Sequence, residues 1–195
     1  MIEQLKVWDT RLFLELNQYH APWMDTIMYW VTDTYFWYPM YAILIFFIIR
    51  NYKTEGLFMV LAAILAVGLA DYVASGIIKP YFGRLRPCYT VEIQKSVFVL
   101  RGCGGQYSFV SSHASTTFAL ATSLFVLARD KMQYLIWLFP WAGLVSYSRI
   151  YVGVHYPLDI LGGAIIGVLC TLLILFLYRH FVQGPRLKLQ FRDKK

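Results

Sequence analysis

The chain has 195 residues, of which 58% are hydrophobic and 18% aromatic against only 15% charged, and its mean hydropathy is +0.52. That balance excludes a water-soluble domain and leaves room for a single all-α, polytopic transmembrane helix bundle, with no separate soluble domain. The formal net charge of +7 owes much to the segment from Arg186 to Lys195, five basic residues in ten, which reads as an anionic-lipid contact and topology anchor rather than a nucleic-acid site.

In chain order, the first element is a helix within residues 1–20. Ile2, Leu5, Trp8, Leu12 and Leu16 recur at helical spacing with charges between them, which suits a helix lying in the membrane interface. The segment lacks the basic-then-apolar layout of a signal peptide, so it is expected to stay on the mature protein. A membrane-crossing helix needs about 20 residues, and five candidates follow. Ile27 to Ile49 is the first, with Asp33 and Pro39 predicting a kink or tilt. Gly56 to Ile78 is the second and closes on Lys79. The third, Ser111 to Ala128, is rich in Ala, Ser and Thr, a composition that lets helices approach closely in a bilayer. Met132 to Tyr147 and Pro157 to Tyr178 complete the set, and Gly162, Gly163 and Gly167 suit the last to close packing.

Five spans in series put the linkers on alternate faces. One face holds Arg50, Lys53, Arg129, Lys131, Arg179 and the tail, ten of the eighteen basic residues, and is expected to be cytoplasmic. On the other face three polar clusters converge. Lys79, Arg84 and Arg86 follow span two, Ser111, Ser112 and His113 open span three, and Ser148, Arg149, His155 and Asp159 bridge spans four and five. Charges beside a bilayer are costly unless a site uses them. Guanidinium forks bind phosphate oxygens bidentately, lysine adds a point charge, and the free N–H groups at the start of span three add an anion site. Two histidines remain for chemistry, one to attack phosphorus and one to protonate the leaving oxygen.

The motifs carry a resemblance. Lys79-Pro80-Tyr81-Phe82-Gly83-Arg84-Leu85-Arg86-Pro87 matches Lys-x6-Arg-Pro, Val110-Ser111-Ser112-His113 resembles Pro-Ser-Gly-His, and Ser148 to Asp159 matches Ser-Arg-x5-His-x3-Asp. In this order they resemble the three signatures of the type 2 phosphatidic acid phosphatase family, related to vanadium haloperoxidases, over roughly residues 9 to 178. The resemblance implies a lipid phosphate phosphatase in which Lys79, Arg86 and Arg149 hold the phosphate, helped by Ser111 and the backbone near Ser112. It also implies that His155 forms a phosphohistidine, Asp159 orients its ring, and His113 donates a proton to the leaving group. It implies no metal and no cofactor. Val110 replaces the motif's proline and Ser112 its glycine, which puts the loop's shape in question more than its chemistry.

Among the substrates of such a family, undecaprenyl diphosphate ranks first because it needs no large saccharide pocket; lipid A, phosphatidylglycerophosphate and phosphatidic acid are the alternatives. The setting expected is a bacterial inner membrane, with the site on its outer face and membrane lipids as partners. Oligomeric state is not legible. Three readings from other classes stand beside this one: a serine hydrolase using Ser112, His155 and Asp159, a transporter, and an inactive lipid-binding relative. Arg84 and Arg101 read equally as interfacial anchors or as additional substrate contacts, and Asp71 as a functional carboxylate or a hydrogen-bonded one. His20 and His180 read as structural histidines, and Trp23, Trp30, Trp37, Trp137 and Trp141 as belt or packing residues. Cys88 and Cys103 share the outer loop, where a disulfide and two free thiols are equally open, and three cysteines without a CxxC argue against zinc.

Overall fold

The computed structural model describes residues 2–183, so the lipid contacts expected of Arg186 to Lys195 lie outside the described residues. Its elements are α1 (Ile2–Asn17), α2 (Pro22–Val31), α3 (Tyr38–Tyr52), α4 (Thr54–Asp71), α5 (Lys79–Phe82), α6 (Ser112–Ala128), α7 (Leu138–Tyr151) and α8 (Pro157–Tyr178). A π-helical stretch, Tyr72–Ile78, joins α4 to α5 in one apolar run, Thr54–Phe82. No strand occurs among the described residues; Leu85 and Tyr107 form an isolated bridge in the long loop after α5.

Two of these helices, Thr54–Phe82 and Pro157–Phe181, are long and apolar enough to cross a membrane. A third span results if α2 and α3, bent by 73°, are taken together. The bend predicted in the first candidate is present and falls at Thr32 to Thr34, around Asp33, the first of the two predicted interruptions, and not at Pro39. Pro39 sits in the first turn of α3, where a missing N–H costs nothing. The fourth candidate is displaced: Gln133–Trp137 is a 3-10 turn, and α7 runs on to Tyr151. The fifth keeps its predicted bounds, because Pro157 presets the first helical turn and Asp159 caps it by accepting from the Tyr156 N–H.

α6 is the centre of the bundle, packed against α4, α7 and α8. The close approach is built from small residues. A Cβ on Gly163 or Gly167 of α8 would run into the Ser111 or Ser115 carbonyl, and Thr171 Oγ1 donates to the Ala119 carbonyl at 3.2 Å. On the other side Ser115 Oγ donates to the Ala70 carbonyl of α4 at 3.0 Å. Within a bilayer, where apolar surface gains little from association, contacts of this kind hold helices together. Large apolar side chains such as Phe46, Leu61, Ile64, Ile165 and Leu172 point outward, as a lipid-facing surface requires.

Alternation of the helices gathers α5, α6, α7 and α8 at one end. That end is tied by Asn17, whose side-chain amide donates to the carbonyls of Phe98, Ile150 and Tyr151 while its carbonyl accepts from the Phe98 N–H at 2.8 Å. The opposite end carries Arg50, Lys53, Arg129 and Lys131, where Tyr52 Oη donates to the Ala128 carbonyl at 2.8 Å.

Candidate active site

The three polar clusters meet at the α5/α6/α8 end. α6 opens there with Ser111 as its N-cap; the Ser111 hydroxyl accepts from the Ala114 N–H at 3.4 Å, and its own N–H donates to the Asp159 carbonyl at 2.9 Å. The start of α6 is thereby fixed to the start of α8. Lys79 Nζ, from the end of the long second run, donates to Ser112 Oγ at 2.7 Å. Ser112 Oγ thus accepts from a cation.

The loop between α5 and α6 delivers Arg86. Its backbone is pinned by Arg86 N–H to the Gln106 carbonyl at 3.1 Å and Ser108 N–H to the Arg84 carbonyl at 2.8 Å. Its guanidinium donates to the carbonyls of Tyr107 and Cys103. Cys103 is bonded to Cys88, with Cα atoms 6.2 Å apart, so the bridge left open by the sequence is formed and steadies the strand of loop that holds Arg86. Arg149, on the last turn of α7, donates to the Thr32 hydroxyl at the α2–α3 bend, and its Nε is buried without a protein partner. Arg86, Arg149 and His113 line one cavity of about 280 Å³, with Arg101 at its edge.

His155 lies in the short turn before α8 and is 1% exposed. Its Nδ1 faces Asp159 Oδ2 at 3.3 Å, so Asp159 reaches back from the first turn of α8, as the motif implies. Burial, then the charges of Arg149, Arg86 and Lys79, hold the imidazole well below its usual pKa and keep it neutral. With the proton on Nδ1 and directed at Asp159, the Nε2 lone pair is the one a nucleophile would use; a ring N–H also meets the Ser108 backbone.

The two undecided arginines separate. Arg84 is not aimed at the cavity: it donates to Asp159 Oδ1 at 2.9 Å and to Asp9 Oδ2 at 2.7 Å, and its guanidinium lies 3.8 Å from the Tyr156 ring centroid. Two carboxylates take both ends of its fork, which favours the anchoring one of its two sequence readings. Arg101 pairs with Asp33 at 2.8 Å and stacks over Tyr29, while remaining on the cavity rim. Asp71 accepts from Ser75 Oγ at 3.3 Å and lines a second chamber with Asp33, Ser112 and His113. His20 stacks on Phe98 and His180 meets Phe176 and Phe181, as structural histidines do.

Three contributors carry no motif in the sequence. Asp9, Asn17 and Thr32 join the site through partners at least 75 positions away, and local periodicity is blind to such pairs.

Two cavities continue from His113 into the bundle. The chamber with Asp33 and Asp71, about 250 Å³, shares Thr34, Tyr41, Thr116 and Thr117 with an apolar groove of about 520 Å³ between α3, α4 and α6. His113 thus stands between a cationic cavity on one side and a path leading into apolar walls on the other.

Known proteins are similar to this chain in sequence and fold. A lipid A 4'-phosphatase of Bacteroides thetaiotaomicron is 38% identical over 170 residues, 86% of this chain and 75% of that protein. An undecaprenyl-diphosphatase of Sulfolobus acidocaldarius is 29% identical over 168 residues, 85% of this chain and 76% of that protein. Among solved structures, the crystal structure of Aquifex aeolicus LpxE superposes with a TM-score of 0.66 at 30% identity, covering 85% of this chain and 93% of that one. Residues 55–182 match the PAP2 superfamily. The chain belongs to the PAP2 superfamily and is a membrane lipid phosphatase.

Proposed function

We propose that the protein removes a phosphate monoester from the sugar headgroup of a glycolipid of the lipid A type, through a phosphohistidine on His155. In this reading Lys79, Arg86 and Arg149, with the N–H groups at the start of α6, cradle the phosphoryl oxygens. Three cations around one dianion neutralise the charge that repels a nucleophile. His155 Nε2 then forms a bond to phosphorus as the bond to the leaving oxygen breaks, and Asp159 holds the growing imidazolium charge. His113, at the mouth of the inner chamber, gives its proton to that oxygen; water later attacks the phosphohistidine, and inorganic phosphate leaves. No step draws on a metal.

The observation that carries the reaction is the meeting of three cations, His113 and the His155–Asp159 pair at one end of the bundle. Two features support the substrate class and reverse the initial ranking of a polyprenyl diphosphate. Lipid A 4'-phosphatases of two organisms align at 38% and 34% identity, against 29% for the undecaprenyl-diphosphatase. The chamber behind His113 also presents Asp33, Asp71 and Thr34 hydroxyl and carboxylate groups with Trp37 beside them. Carboxylates accept hydrogen bonds from sugar hydroxyls and repel the second phosphate that a diphosphate leaving group would bring there. The apolar groove beyond it suits acyl chains.

We place the bent α2–α3 pair, the Thr54–Phe82 run, α6, α7 and α8 as five spans. The site then opens on the outer face of a bacterial cytoplasmic membrane, a placement supported by the Cys88–Cys103 bond, which belongs in an oxidising compartment. Phosphate release by the purified protein, measured on lipid A and on undecaprenyl diphosphate, tests the substrate. We expect kcat/KM for lipid A to be higher by about tenfold or more, since the leaving group is read by its hydrogen bonds. The reverse order would restore the polyprenyl reading.

A further inference from the structure

Asp9 lies on α1, far in sequence from any motif, yet its side chain is 1% exposed and fully engaged in the site's support. Oδ1 accepts from the Leu158 N–H at 2.9 Å and Oδ2 from Arg84 at 2.7 Å. The other arm of Arg84 holds Asp159 Oδ1 at 2.9 Å, and Asp159 Oδ2 faces His155 Nδ1 at 3.3 Å. The chain of contacts is therefore Asp9, Arg84, Asp159, His155, and three of its four members are almost wholly withdrawn from solvent.

Charge accounting gives this chain a purpose. Asp159 needs a donor on Oδ1, because a carboxylate with no exposure and an open lone pair is costly to keep ionised. A guanidinium supplies it, but a one-to-one Arg84–Asp159 pair has no net charge and would give little support to a developing imidazolium. Asp9 shares the guanidinium, so the group of three carries one net negative charge. The dyad then keeps both its geometry and its field in a site otherwise crowded with Lys79, Arg86 and Arg149.

We infer that Asp9 is a positioning residue for the phosphatase reaction: through Arg84 it sets the charge and orientation of the Asp159 carboxylate that supports His155. The inference rests on His155 being the nucleophile. Asp9→Asn isolates the charge, because the amide oxygen still accepts from the Leu158 N–H. Purified Asp9→Asn, assayed on the lipid substrate and normalised to folded protein, is expected to lose about tenfold in kcat with KM within about twofold, as loss of a partner behind a ligating or reacting histidine does. The Asp9→Asn/Arg84→Gln double variant, which again leaves one net negative charge beside His155 and keeps an amide donor for Asp159 Oδ1, is expected to regain most of that kcat. A residue that merely braced α1 would instead scale the folded fraction, and the second substitution would deepen the loss. Unchanged kcat in Asp9→Asn, a loss confined to KM, or a double variant no faster than the single one would each overturn the inference. If Asp9→Asn does not fold, the double variant decides alone, by matching the parent's kcat to within a few-fold or failing to. His155→Ala is the control. If it still turns over, the phosphohistidine reading itself fails; if it is dead while Asp9→Asn is unaffected, only the role of Asp9 fails.

Discussion

The two histidines stand in opposite surroundings. His155 is 1% exposed, backed by Asp159, whose remaining lone pairs are taken by Arg84 and the Tyr156 N–H. His113 stands on the wall of two cavities, with the cationic one to one side and the chamber of Asp33 and Asp71 to the other. The difference teaches which half of the reaction the fold prepares in advance. In the proposed reaction the nucleophile is backed by Asp159, whereas the proton donor, whose ring also meets the Thr32 backbone, faces the space that the leaving group fills.

Exchanging the leaving group sharpens that contrast most. His155→Ala should lose turnover by on the order of 10⁴-fold or more on every substrate, because no other group takes the phosphoryl. His113→Ala should lose about 10²-fold or more on the lipid, whose alkoxide needs a proton. On p-nitrophenyl phosphate, whose leaving group departs unprotonated, the His113→Ala loss should shrink to about tenfold or less. Equal losses for His113→Ala on both substrates would erase the division of labour.

The disulfide breaks the comparison from the cationic side. Replacing Cys88 and Cys103 by serine should cost about 3 kcal/mol of stability, seen as a lower Tm, for the closure of a loop spanning 15 residues. Because Arg86 donates to the Cys103 carbonyl, KM for the lipid should rise while kcat stays nearer its parent value. An unchanged KM would uncouple the loop from the phosphate cradle.

The smallest effect is thermodynamic. His155 is held well below its usual pKa in the folded chain, so below about 6.5 the unfolded state binds more protons than the folded one. Stability conferred by the neutral buried ring is therefore complete above that pH and is lost as pH falls through the window beneath it. His155→Gln should flatten the decline in Tm between neutral and mildly acidic pH; an identical pH slope in both proteins would mean that another group governs it.

The sequence displayed the reacting end of the molecule more readily than what supports it. Lys79, Arg86, His113, Arg149, His155 and Asp159 could be read because each sits in a short motif whose spacing matches a helix end, and the structure gathers their segments. α8 kept its predicted bounds because Pro157 and Asp159 are local start signals. Asp9 and Thr32 were invisible: their partners, Leu158 and Arg149, lie 149 and 117 positions away, and no local pattern encodes such a meeting. The partners of Arg84 are hidden for the same reason. Its charge was legible, but the two carboxylates that claim it come from α1 and α8. Of the two interruptions that predict a bend in the first span, Asp33 marks the hinge and Pro39 does not, since Pro39 fits the first turn of a helix and the chain breaks where Thr32 turns toward Arg149.

Trapping the covalent intermediate tests the central claim most directly. Rapid denaturing quench of the purified enzyme during turnover of a ³²P-labelled lipid phosphate, followed by peptide mapping, should recover label that is stable to alkali, labile to acid, and confined to the peptide carrying His155. The His155→Ala protein should carry none. A phosphoenzyme on another residue, or turnover by the parent with no labelled protein at all, would contradict the account.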